Sequence, residues 1–130
     1  MNELIELHDS QLLALSCADG AAIILLRPVR LHRSEGSPGR DAGTVWQQEL
    51  MLTVTNALVS VHGRLPAAIG SGSLRIGTET HQNFIPAAGV FADDIELELT
   101  LNGTDHLKVN CDQLMITLTG EAASPEKFEP

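Results

Sequence analysis

The sequence predicts an all-β protein: a single-domain antiparallel β-sandwich or curled barrel of six to eight strands, with little helix. Apolar residues recur at every second position, not every third or fourth, along most of the chain. The alternating runs are short and are separated by turn dipeptides such as Asp19-Gly20 and Asn102-Gly103. At 130 residues with only two cysteines, the chain is long enough to bury one core without a disulfide framework. The domain is expected to span residues 1–120, with 121–130 as a frayed acidic tail.

The arm Leu4-Ile5-Glu6-Leu7 is apolar enough to cover a sheet, and His8-Asp9-Ser10 follows it. That step reads either as the remnant of a site or as a hinge into the first long strand. A catalytic His-Asp dyad needs further histidine and aspartate ligands on helices, which this chain does not have enough helix to supply. A hinge needs only that Asp9 and Ser10 bond nearby backbone amides and that His8 reaches a neighbouring loop. The hinge asks less of the sequence.

The first hairpin places Leu13, Leu15 and Cys17 on one face. Asp19-Gly20 supplies a two-residue turn needing positive φ, and Ala22, Ile24 and Leu26 return on the same face. This register pairs Cys17 with Ala22, Leu15 with Ile24 and Leu13 with Leu26. Ile23, Leu25, Val29 and Leu31 make the opposite face apolar as well, so it too needs a cover. In RPVRLHR, strand alternation sends Arg27 and Arg33 to one face and Arg30 and His32 to the other, splitting the only basic patch.

Residues 34–43, SEGSPGRDAG, have no periodicity and read as a mobile loop. In TVWQQELMLTVTNALVSV the apolar parity switches near Thr55-Asn56, as a bulge or a strand bending between sheets would require. Trp46 shares the parity of the first half and belongs in the core, or else lines the mouth of a site as a stacking ring. Residues 63–94 are the least regular part and read as a long irregular cover, held by Phe84, Ile85, Val90 and Phe91.

The last third alternates cleanly: Ile95, Leu97, Leu99 and Leu101 inward, then Leu107, Val109 and Cys111, then Leu114, Ile116 and Leu118. One register sets Glu98 opposite Lys108. The parity flip between Cys111 and Leu114 fits a two-residue Asp112-Gln113 turn. Beyond Gly120 only Phe128 has reason to dock on the body.

Chemistry is sparse on this scaffold. The formal charge is −9: residues 27–75 carry six arginines against three acids, while residues 76–130 carry ten acids against Lys108 and Lys127. Such a chain repels nucleic acid and anionic membranes and attracts basic partners. No stretch approaches a membrane span and no basic signal region precedes the apolar arm, so a soluble, cytoplasmic protein is expected. The histidines at 8, 32, 62, 81 and 106 share no metal-ligand spacing, so no metal or other cofactor is expected. Cys17 and Cys111 are expected to be reduced and buried. Gly70-Ser71-Gly72 lacks the strand-to-helix setting of a nucleophile elbow, and Asp93-Asp94 reads as solubilising charge.

The opening LHDSQLLALSCADGAAIILL, the late strand LMITLTGEA and the tail SPEKFEP resemble a loose group of small bacterial β-proteins. These begin with a His-Asp-Ser or His-Asp-Ala step, and some are associated with immunity against secreted toxins. The resemblance covers the first 26 and last 20 residues and implies a small β domain, with no catalytic residue. Two functions follow. The first is a non-enzymatic binding protein, of the immunity or adaptor kind, meeting a basic protein through its acidic surface at Glu96 and Glu98. The alternative is a small-ligand-binding or enzymatic sandwich with a pocket under residues 63–94, lined by Trp46, Phe84 and Phe91 with His81 as its polar group.

Overall fold

A computed structural model describes all residues, 1–130, and every regular element in it is a strand. The strands are β1 (Asn2–Glu6), β2 (Gln11–Ala18), β3 (Ala21–Ser34), β4 (Gly43–Thr55) and β5 (Leu58–His62). β6 (Ala67–Ile76), β7 (Glu79–Gln82), β8 (Phe84–Pro86), β9 (Gly89–Leu101) and β10 (Asp105–Phe128) complete the chain. All pairings are antiparallel. Six strands close a ring in the order β2-β6-β9-β10-β4-β3 and back to β2, while β1 and β8 extend it beyond β3, β5 flanks β10 and β7 flanks β6. Two pairs, Gln11↔Ala68 and Leu12↔Ala67, close the ring, so β2 beyond Leu12 and β9 before Ile95 are unpaired on one side. The all-β expectation is met, with ten strands in place of six to eight.

One cluster of 25 buried side chains fills the ring, including Leu97, Leu99, Val109, Ile116 and Ile24, with Leu15 packed against it. The Asp19-Gly20 turn has the expected positive φ at both residues, 54° and 78°. Cys17 pairs with Ala22 and Leu15 with Ile24, but a bulge at Leu12/Ala14 brings Leu12, not Leu13, opposite Leu26. The bulge moves the inward position by one residue, so Leu12 is fully buried; Cys17 keeps the expected register opposite Ala22 but lies exposed next to the hairpin tip, where the expectation was burial. A second bulge, spanning Arg27 and Pro28, returns Val29 and Leu31 to the core side. The expected cover over that face is therefore not needed for them.

The parity switch after Thr55 is a corner. β4 ends there, Asn56 takes φ 51°, and β5 continues along the same partner, β10. Asp112-Gln113 is not a turn: β10 runs unbroken for 24 residues, and one residue, Asp112, faces two on β9, Asp93 and Asp94. A bulge flips the inward parity as a turn would, without reversing the chain. Asn56 donates to Asp112 across the corner at 2.8 Å.

Two other expectations are corrected, and the segment expected to be a mobile loop has a defined turn geometry. Residues 63–94 form β6, β7, β8 and the start of β9. Their irregular pattern comes from a bulge at Gly70, which shifts the inward set from Ala67 and Ile69 to Leu74. Residues 34–43 form a bonded turn, in which Ser34 donates to Ala42 O, Asp41 accepts from the Ser37 amide, and Gly39 sits against the Phe84 ring at φ 81°. A Cβ at Gly39 would lie 2.7 Å from that ring. Residues 121–128 continue β10 and pair with β4 as far as Phe128↔Gly43, through two register shifts, one between Thr119 and Ala123 and one between Ala123 and Glu126 that spans Ser124 and Pro125. Proline is admitted in a strand at such irregularities, where no ladder amide is required.

Candidate functional site

His8 and Asp9 form the turn from β1 into β2. Asp9 has φ 65°, a conformation that Asp tolerates better than most side chains. The turn is tied to β6 and to the residue before β8. The His8 amide donates to Asn83 Oδ1 at 2.8 Å, His8 Nδ1 to Gly70 O at 2.7 Å, and the Asp9 amide to Ile69 O at 3.1 Å. His8 Nε2 reaches Asp9 Oδ1 at 3.4 Å, and both side chains are more than half exposed. No third ligand converges on them.

The only charged cluster drawn into the body lies where β1 meets β3. Register places Glu6 opposite Arg30 and Leu4 opposite His32. Glu6 Oε1 accepts from His32 Nε2 at 2.8 Å and from Arg30 Nε at 3.0 Å. Burial opposes ionisation of Glu6, but the hydrogen bonds from His32 and Arg30, together with the Arg30 and His32 charges, outweigh it and hold the carboxyl below its usual range. His32 is buried between the edges of Phe84 and Phe128, at 5.4 and 5.3 Å between ring centroids. Its Nδ1 has no hydrogen-bond partner. Ser10 Oγ is fully engaged, donating to Glu6 O and accepting from the Arg30 amide. This constellation is a polar fastening between two strands. It offers no free nucleophile and no cavity for a substrate. Glu6 and Arg30 pair through register, which sequence alternation alone does not reveal.

The four residues expected to line a ligand pocket are not brought together. Trp46 pairs with Leu31 and faces the core side of the sheet, its Nε1 donating to Thr44 Oγ1 and its ring 5.1 Å from the Arg33 guanidinium carbon. Phe84 pairs with Glu6 on the opposite face, against His32. Phe91 packs against the ring interior opposite Leu114, and His81 sits on β7 beside Glu79. The largest cleft, about 320 Å³, lies elsewhere, between the β3 and β10 bulges, lined by Arg27, Gln48, Glu49, Thr119 and Glu121 among others. None of its lining residues is hydrophobic.

Glu96 and Glu98 project from the outer face of β9. Lys108 lies 3.9 and 3.5 Å from their carboxylates, and Arg75 lies 3.9 Å from Glu96 and 3.4 Å from Asp94. The expected Glu98↔Lys108 register is present. On the same outer face His62 stacks on His106 and meets Asp105 at 3.1 Å, an exposed arrangement. No group of three or more histidine, cysteine, aspartate or glutamate side chains is placed to hold a metal ion. Burial pushes the Cys111 thiol up; a Gln113 backbone hydrogen bond opposes this, and the Asp112 and Asp94 charges add to it. No helix is long and apolar enough to cross a membrane. Comparison with known proteins finds no matching family model, and no curated protein or solved structure that matches the chain.

Proposed function

We propose that this protein is a small non-catalytic binding protein, of the adaptor or immunity kind, that meets a basic protein partner through the outer face of β9 and β10. The observation that carries this reading is a local surplus of exposed carboxylate. Between Asp93 and Asp112 the chain holds six acids, and the bases beside them are Arg75 and Lys108. Both bases are already divided, Arg75 between Asp94 and Glu96 and Lys108 between Glu96 and Glu98. Asp94 and Glu98 remain 78% and 52% exposed, so their charge faces solvent. A like-charged surface of this kind steers cationic partners and selects against anionic ones.

The test is calorimetric titration with a lysine oligopeptide at low and moderate salt. The wild-type protein is expected to bind at low salt and to weaken as ionic strength rises. The pair Asp94→Lys and Glu98→Lys is expected to lower affinity by about tenfold or more, with an unchanged melting temperature. Binding indifferent to both salt and the reversals overturns the reading.

A further inference from the structure

β5 and β10 bring together two histidines that stand far apart in the sequence. Register sets His62 directly opposite His106, and their rings stack with centroids 5.7 Å apart and planes within 13°. Both residues are exposed, His62 with 74% of its side chain open to solvent. Asp105, the residue before His106, turns its carboxylate to His62, with Oδ1 3.1 Å from Nδ1. An ionised carboxylate only accepts, so Nδ1 carries the ring proton and Nε2 keeps a free lone pair on an exposed ring. Gly63 leaves room for this arrangement, since a Cβ there would run into the Asp105 carboxyl. The other histidines are engaged differently: His8 on Gly70 O, His32 on Glu6 in the interior, and His81 beside Glu79.

We infer that His62 and His106 form a two-histidine site for a divalent transition cation of the Zn²⁺ or Cu²⁺ type, with Asp105 as the positioning residue behind His62. Imidazole nitrogen suits these ions, whereas Mg²⁺ and Ca²⁺ take oxygen ligands. Two nitrogens at ~2.1 Å from one tetrahedral ion stand roughly 3.4 Å apart. Facing Cβ atoms on paired strands are about 4.5–5.5 Å apart, so the rings reach that span by tilting their outer edges together. The order carboxylate, imidazole, metal is the one that holds a ligating histidine: the bond at one ring nitrogen fixes the tautomer and makes the other nitrogen a better donor.

Two ligands do not enclose an ion, in keeping with the absence of any group of three or more side chains placed to hold one. The remaining coordination positions belong to water, so the site is open and its ion exchangeable. The −9 charge of the chain raises the local concentration of cations. β5 joins the sheet through β10 alone, so an ion bridging His62 and His106 also clips that strand to the body. Neither Asp94 nor Glu98 is a ligand, and the site stands or falls apart from the basic-partner reading.

Isothermal titration of the full chain with zinc chloride and, separately, copper sulfate tests the inference at about pH 7.5, where free imidazole is neutral. One equivalent is expected to bind, copper more tightly than zinc. His62→Ala and His106→Ala should each weaken binding by about tenfold or more, because a single imidazole remains, with circular dichroism showing an intact fold. Zinc should raise the melting temperature of the wild type and leave that of either variant where it was. At about pH 5.5 binding should be lost, as protons take the ring nitrogens. Asp105→Ala should weaken binding by about tenfold, and Asp105→Asn, which keeps an acceptor for the Nδ1 proton, should recover part of that loss. A wild-type protein that binds neither ion overturns the inference, as does binding unchanged in both histidine variants. Wild-type affinity in Asp105→Ala overturns the role given to Asp105.

Discussion

Glu6 is the residue whose chemistry is most altered by the fold. Its carboxylate accepts two hydrogen bonds, from Arg30 and His32 on β3, and its pKa is held below the ordinary 4.5. Because the folded value is depressed, the stability this group contributes is fully present above the unfolded value. It is lost as pH falls through the lower folded value. Glu6→Gln is therefore expected to lower stability by about 1–3 kcal/mol at pH 7, measured by urea unfolding, with the gap from wild type closing below about pH 4. A constant gap across that range would show that the carboxylate charge is not what the site uses. His8→Ala removes the Nδ1 bond to Gly70 O and is expected to cost about 0.5–1.5 kcal/mol, seen as a lower urea midpoint. The two thiols should separate in a labelling time course: Cys17, exposed at the hairpin tip, reacts quickly, and Cys111, buried and raised in pKa, slowly.

Among the elements, the C-terminal end of β10 departs most from its composition. SPEKF is polar and proline-bearing, yet Phe128 closes the pocket around His32 from one side while Phe84 and the 34–43 turn close it from the other. Phe128→Ala is expected to lower stability by about 1–2 kcal/mol, because the ring is only partly buried. Shortening residues 35–42 to a few linking residues should cost more than the small change in loop-closure entropy. That replacement removes the Gly39 contact with Phe84 and the Ser34 to Ala42 bond. Thermal melts of the two variants and wild type check both outcomes. Equal stability for the shortened chain would mean that the turn contributes nothing beyond connection.

Across the whole molecule, different parts of the ring's outer surface face solvent with different chemistry. The outer face of β9 and β10 around Glu98 carries surplus carboxylate, and the outer face around Thr53 carries none. Raising salt should therefore lower oligolysine binding at the face around Glu98. Much of this architecture was legible in the sequence. Alternation identified the strands, Asp19-Gly20 declared its turn, and the inward set of the last third was read residue by residue, because a strand with one buried face must alternate. The bulges at Leu12/Ala14, Gly70 and Asp112 were not legible, since one extra residue changes parity in the same way as a turn or a loop. Nor was the scatter of Trp46, His81, Phe84 and Phe91, because the face each ring occupies depends on which strand lies beside it. By itself the sequence determined strand content, the hairpin tip and most of the core, all properties of a residue and its near neighbours along the chain. The tertiary structure alone decided the closure of the ring, the Glu6–Arg30–His32 fastening and the uncharged face, because each depends on which distant strands pair and in what register.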